Sequence, residues 1–314
     1  MAIKQNKESK GGSTATLKNT ASSAPSKSRL YLLLACILTF VVFLPTLFNG
    51  FINFDDPQYI SENPIVQSFN SFNLKQIFTS PFVGNYQPIT MLTYMVDHAL
   101  LGLNPKIYHF TNLIFHLLNV IVLYFIFLRV NFNTTTSLIA ALLFGIHPLH
   151  VESVAWIAAR KDVVYAFFFF LSILFYLKYI QQQKKQFYAI SILLFILSVL
   201  SKAQAVVLPV VLFLFDYILK RKLNKQTILE KIPFFAVSIA FGIMAIMIQR
   251  NAGAVQTFSY FPLYQRILFA CYGLANYFYK IILPIDLSIF YPYPETNDKI
   301  NTNWVYYRDR KSVV

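Results

Sequence analysis

An all-α integral membrane fold is what this sequence predicts, and three observations predict it. Of the 314 residues, 56% are hydrophobic and only 13% charged, with a mean hydropathy of +0.52. A soluble domain needs far more polar surface than that. The apolar runs are of helical length and rich in Leu, Ile and Phe, whereas closed barrels show alternating segments of about ten residues. Helices satisfy their own backbone in lipid, so a bundle of spanning helices follows. The net charge of +14 sits largely in short loops between apolar runs. There it sets orientation, and no nucleic-acid partner is expected. Cys36 and Cys271 both fall in apolar runs, which suits packing residues better than a disulfide or metal framework.

In chain order, residues 1–29 are rich in Lys, Ser, Thr, Gly and Asn. They read as a disordered basic tail, held in the cytoplasm by its lysines. The run Leu30–Phe48 is a retained first span, because no small-residue cleavage site follows it. It delivers Asp55 and Asp56 to the extracytoplasmic side. A long first external loop extends to about Lys106, punctuated by Asn63-Pro64, Ser80-Pro81 and Gln87-Pro88. Within it Pro88–Leu101 has helical periodicity interrupted by Asp97 and His98, which predicts a juxtamembrane helix lying on the surface.

Further spans are expected at about Ile107–Arg129, Thr136–Ile146, Val163–Tyr179, Phe187–Leu200, Ala205–Leu219 and Ile232–Ile248. His109, Asn112, His116 and Asn119 lie along one face of the second span. That pattern predicts hydrogen-bonding glue between helices. Beyond Arg250 a Tyr-rich apolar segment reads either as an eighth span or as an interfacial helix. Pro284–Pro294 reads as an aromatic loop. The transmembrane domain is therefore expected over 30–294, followed by a truncated end over 295–314. Its last six residues, 309–314, read like translated sequencing adapter.

Four polar clusters stand out. Asp55 and Asp56 can take a proton from a hydroxyl or hold a cation; being adjacent they point apart, so one acts and the other orients. His147, His150 and Glu152 in HPLHVE are open to two readings, a metal cluster or a hydrogen-bonding scaffold for a sugar. Arg160 and Lys161 lie on the external side against the positive-inside bias, which a phosphate ligand would explain. Lys202, after Ser201 at a span end, is placed either to meet that phosphate or to snorkel. All four converge on one side of the membrane. Acid–base chemistry on a phosphate-bearing lipid uses them all.

The order FINFDDP, NYQPIT, GLNPKIYHFTNLIFHLLN, HPLHVESVAWIAARKD, LSKAQAVVLPVVLFLFDY and LPIDLSIFYPYP resembles the membrane part of bacterial relatives of the TMTC proteins. These are transmembrane and tetratricopeptide-repeat protein O-mannosyltransferases of the GT-C superfamily. The resemblance covers about Leu30 to Pro294. It implies a multi-span GT-C-like bundle, set in the bacterial inner membrane, with its site on the extracytoplasmic face. It implies a polyprenyl-phosphate-linked monosaccharide as donor and a protein or glycan hydroxyl as acceptor. Asp55 and Asp56 would be catalytic, and Arg160, Lys161 and Lys202 would bind the donor phosphate. The cofactor is unknown, with a divalent cation left open. Ala203 departs from the acidic residue or proline that often follows the SK pair. The family's later spans and helical repeats are absent from this sequence. Two other classes stay open, a flippase for a lipid-linked sugar and a non-catalytic scaffold for a repeat domain.

Overall fold

The computed structural model describes residues 26–254 and 262–288. The end over 295–314 and most of the tail lie outside the described residues, as does the part of Pro284–Pro294 after residue 288. Among the described residues there are twelve α-helices and no β-strand. The first, α1 (Ser26–Phe43), runs into a 3-10 turn over Leu44–Phe48. It starts inside the segment expected to be a tail. Its Leu33, Leu34, Ile37, Leu38 and Val41 are exposed, while Ala35, Thr39 and Phe43 are buried. An apolar outer face of this kind suits lipid.

The first loop carries a π-helical turn over Pro57–Ser61, then α2 (Ser71–Thr79) and α3 (Pro88–Leu101). The helix predicted over Pro88–Leu101 is present with those bounds. Thr90 donates to the Ser201 carbonyl (3.0 Å) and Tyr94 to the Ile157 carbonyl (2.8 Å). These bonds moor the helix to the end of the bundle.

The long central helix is α4 (Pro105–Arg129). Its stripe His109, Asn112, His116 and Asn119 is buried, and each residue reaches a carbonyl on a different neighbour. His109 meets Gly50 (3.4 Å), Asn112 donates to Val154 (3.3 Å) and Trp156 (3.1 Å), His116 meets Gly145 (2.8 Å) and Asn119 donates to Val163 (2.9 Å). The expectation of interhelical glue is met: the stripe ties α4 to four neighbouring segments, and at Gly145 and Val154 it takes up carbonyls left over at helix ends.

Next come α5 (Thr134–Ile146), α6 (Val151–Ala155) and α7 (Arg160–Gln182). Gly145 of α5 lies against Thr39 of α1; a Cβ there would meet the Thr39 Oγ1 at 2.5 Å. Pro148 bends the path after α5 by 50°, because it cannot continue the helix. Then α8 (Lys185–Ser201) packs along α7 through reciprocal bonds of Ser172 and Ser191 hydroxyls to each other's carbonyls, both 2.8 Å. The remaining helices are α9 (Leu208–Ile218), α10 (Lys225–Leu229), α11 (Ile232–Asn251) and α12 (Leu263–Ile282). The largest core joins α4, α7, α8, α9 and α11 through Tyr176, Leu177, Phe195, Leu208, Leu212 and Phe234.

Among the described residues four helical stretches are long and apolar enough to cross a membrane, Ser28–Phe48, Pro105–Arg129, Ile157–Gln182 and Lys225–Asn251, and five if the bent pair of α5 and α6 counts as one span. The chain is a multi-pass membrane protein. The fifth and sixth predicted spans are shorter helices, Lys185–Ser201 and Ala203–Ile218. Seventeen residues in α8 rise only ~25 Å at 1.5 Å each, less than a bilayer core. Segment α12 does not qualify as a span, which favours the interfacial reading of that region.

Candidate functional site

The two aspartates are separated by burial. Asp56 is wholly buried. Its Oδ2 accepts from the Ile52 N–H (2.8 Å) and its Oδ1 from the Ala158 N–H (2.9 Å). It thereby clasps the first loop to the 3-10 turn Ile157–Ala159, which precedes α7. Burial pushes its carboxyl above the usual range, and the two N–H bonds pull the other way. Asp55 is only half-buried, and its carboxylate has no hydrogen bond among the described residues. Physically, a residue pair at i and i+1 cannot share one environment at a surface, so one carboxylate faces in and the other out.

The same division repeats one helix later. Arg160 is wholly buried. It pairs with Asp97 (2.5 Å) and donates to Asn112 Oδ1 (2.7 Å), the Tyr108 carbonyl (2.8 Å) and Thr93 Oγ1 (3.3 Å). Its guanidinium also lies 4.5 Å from the Tyr94 ring centroid. Thr111 donates to the other Asp97 oxygen (2.8 Å). The expectation that Arg160 meets a phosphate is corrected by this geometry. Nε, Nη1 and Nη2 each already have a protein partner in a wholly buried setting, so a phosphate would compete with the Asp97 pair. Burial raises the Asp97 carboxyl, and Arg160 opposes that rise.

Lys161, one residue on, points elsewhere. Its ammonium lies 5.2 Å from the centroid of the Tyr59 ring, within electrostatic reach of Lys202, Asp55, Asp162 and Glu152. Lys202 pairs with Asp162, and the two side chains remain 19% and 27% exposed. A cleft of about 360 Å3 opens beside them. Its polar wall includes Asn85, Gln87, Lys161 and Lys202, and its apolar wall is Phe241, Met244 and Ile248 of α11. The lip is a two-residue hairpin closed by paired bonds of Phe82 and Asn85 (2.7 and 2.9 Å), with Val83 and Gly84 both at positive φ. Two-residue hairpins demand such angles; for β-branched Val83 the angle is strained. The structure thus sets Lys161 and Lys202 on one cleft with Asp162 paired to Lys202, and the charges of Asp55 and Glu152 act on Lys161.

The HPLHVE histidines go another way. The His147 Nδ1 accepts from the Leu149 N–H (3.2 Å) and its Nε2 lies 3.0 Å from the Ile281 carbonyl of α12. That pattern assigns the neutral tautomer with the proton on Nε2. His150 stacks against Phe144 (4.3 Å between centroids) and sits 5.6 Å from His116. Glu152 is exposed. The metal reading of this trio is corrected: among the described residues no group of three or more His, Cys, Asp or Glu could hold a metal ion. The ring nitrogens serve helix packing, and Glu152 alone of the three reaches the lysine cluster.

Sequence reasoning missed Asp97 as the partner of Arg160. It also missed a second charged cluster, near the far end of α7. There Lys231 pairs with Asp216, both wholly buried, and Arg221 pairs with Glu230 (2.6 Å). Tyr176 binds Lys231 (2.5 Å). The signal was present: an aspartate inside the apolar run LPVVLFLFDYI needs a partner.

Residues 91–248 match the family described as dolichyl-phosphate-mannose-protein mannosyltransferase. Similar proteins include protein O-mannosyl-transferase TMTC3 of Mus musculus, 34% identical over 143 residues, covering 42% of this chain and 15% of the relative. Protein O-mannosyl-transferase F38B6.6 of Caenorhabditis elegans is 25% identical over 281 residues, covering 83% of this chain and 39% of the relative. Protein O-mannosyl-transferase TMTC4 of Homo sapiens is 28% identical over 214 residues, 59% of this chain and 29% of the relative. The chain thus spans well under half the length of these relatives. No solved structure matches.

Proposed function

Since the chain belongs to the dolichyl-phosphate-mannose-protein mannosyltransferase family, we propose that it transfers a monosaccharide from a polyprenyl-phosphate donor to a hydroxyl acceptor on the extracytoplasmic face. The relatives are named protein O-mannosyl-transferases, which supports a mannosyl donor and a protein Ser or Thr acceptor. One observation carries the reading. Lys161 and Lys202 line a cleft with an apolar wall on α11, and the charge of the half-buried Asp55 acts on Lys161.

Each wall has a task in this reaction. The outer face of α11 exposes Ile239, Ile243, Ile246 and Met247, which places the helix between lipid and the cleft. A polyprenyl chain enters past it with its first isoprenes against Phe241, Met244 and Ile248, and its phosphate reaches Lys161 and Lys202. The acceptor hydroxyl attacks the anomeric carbon. Asp55 takes the hydroxyl proton as the new C–O bond forms. The bond from the anomeric carbon to the phosphate oxygen breaks, and its electron pair leaves with the lipid phosphate. The two lysines neutralise the charge that grows there, a stabilisation larger in the transition state than in the ground state. Single displacement inverts the anomeric configuration.

Asp56 and Arg160 take positioning roles in this scheme. Asp56 fixes the loop that carries Asp55, through its bond to Ala158. Arg160 fixes the start of α7, and so the direction of Lys161. Incubating full-length protein with labelled polyprenyl-phosphate mannose and acceptor tests the proposal. Transfer that is lost in Asp55→Asn but kept in a neutral surface variant such as Lys75→Gln is the expected result. Full transfer by Asp55→Asn would sink the assignment of Asp55 as base.

A further inference from the structure

The cleft has a polar wall member that neither acid–base chemistry nor phosphate binding uses. Gln87 is only 2% exposed yet lines the cleft with both lysines. Its Nε2 has no hydrogen-bond partner among the described residues. It stands at the N-cap of α3, but its side chain does not cap that helix. Gln is not a favoured N-cap residue, so capping does not explain its presence. The Tyr59 hydroxyl lies beside the Asn85 and Gln87 side chains. A donor buried unpaired is unfavourable. The Gln87 amide nitrogen carries two hydrogens; with one toward Tyr59, the other is left for a ligand that supplies an acceptor in the cleft.

Phosphate is already matched by two ammonium groups, and an amide adds little to them. A sugar hydroxyl is both donor and acceptor, so it can accept from Nε2 while donating elsewhere. The cleft volume of about 360 Å3 falls in the range of small-molecule pockets, ~300–1,000 Å3. Resting on the transferase reading above, we infer that Gln87 is a specificity-determining residue: its carboxamide binds one ring hydroxyl of the donor sugar beside Lys161 and Lys202. The lip hairpin and the first turn of α3 hold it there. Because the amide is buried and otherwise unpaired, a donor lacking that hydroxyl leaves it unsatisfied, and is rejected.

The test uses full-length protein and a series of polyprenyl-phosphate mannose donors, each lacking one ring hydroxyl. Wild type should lose about tenfold or more in kcat/KM for one member of the series. Gln87→Met, which keeps length and removes the amide, should erase that one penalty and leave the others standing. A merely structural Gln87 would lower all donors together. Gln87→Ala gives the same comparison where the Met variant fails to insert. An unchanged set of penalties in either variant overturns the role of Gln87 while the transferase reading stands. Wild-type protein that transfers no sugar from any donor overturns both.

Discussion

At the Asp216 end of the bundle, Lys231 and Asp216 have no exposed side-chain surface, and Arg221, Glu230 and Tyr176 close the cluster around them. At the cleft end, Lys202 and Asp162 keep 19% and 27% of theirs, and Lys161 and Asp55 are half-buried. Both clusters mix lysine with carboxylate. Both touch α7, roughly 22 Å apart along it, since Lys161 and Tyr176 are fifteen residues apart. What differs is saturation. In the first, each charge has a close opposite and a hydrogen bond, so the cluster rigidifies the fold. In the second, two ammonium groups line a cleft, and only one of them has a close carboxylate partner, Asp162. An unsaturated cluster at a cleft is where a charged ligand gains most.

The largest expected effect breaks the comparison at its open end. Asp55→Asn removes the proposed base and should lower transfer by about 10²- to 10⁴-fold, with membrane insertion and thermal unfolding unchanged. The closed end should respond in the reverse sense. Lys231→Met leaves Asp216 buried beside Arg221 alone and should destabilise by about 3–5 kcal/mol, read as thermal unfolding in detergent. Surviving protein should transfer sugar at the wild-type rate. A double variant with Asp216→Leu should recover part of that loss, because an apolar pair of similar volume needs no partner.

The third prediction sharpens the open cluster from within. Lys161→Ala and Lys202→Ala should each raise the donor KM or lower kcat by about ten- to hundredfold, the worth of a hydrogen bond to a charged phosphate. Stability should move by less than about 1 kcal/mol for Lys202, since its pair with Asp162 is partly exposed. Arg160→Lys should instead lower the unfolding temperature, as an ammonium cannot fill the fork shared by Asp97, Asn112 and Tyr108. Equal behaviour of Arg160 and Lys161 variants would erase the distinction between them.

Much of this was legible from residues alone, and the limits are physical. The long spans followed from apolar run length, and the α4 stripe from its spacing of three and four. The α3 helix was legible down to its bounds. What could not be read was which member of each adjacent pair faces inward. Asp55 and Asp56 differ only in rotation about one backbone step, as do Arg160 and Lys161. Their fates depend on partners distant in sequence: Ala158 for Asp56, and Asp97 and Asn112 for Arg160. Gln87 was equally silent. It entered the reading as a residue before proline, and only its burial on the cleft wall draws attention to it. The histidines of HPLHVE erred the other way: close spacing in sequence suggested ligation, while the His147 nitrogens meet Leu149 and Ile281 and the His150 ring packs on Phe144.

The smallest effect concerns Asp56. Its folded-state carboxyl lies above the ordinary range, mainly through burial. The folded protein therefore takes up a proton at a pH where the unfolded chain has not. By linkage, the stability this group contributes is fully present below the unfolded value, and it is lost as pH rises through the folded one. Lowering the pH from neutral toward that window should raise the unfolding temperature of wild type relative to Asp56→Asn, whose amide does not titrate. Asp97 is raised as well, but it is common to both proteins and cancels in the difference. At neutral pH Asp56→Asn should still be the less stable, since an amide offers one acceptor where Ile52 and Ala158 need two. The two effects separate Asp56 from Asp55: a pH-dependent difference in unfolding with transfer reduced only in step with folding marks a residue that holds the loop. A variant that unfolds as wild type at every pH, yet transfers nothing, would move the catalytic role onto Asp56.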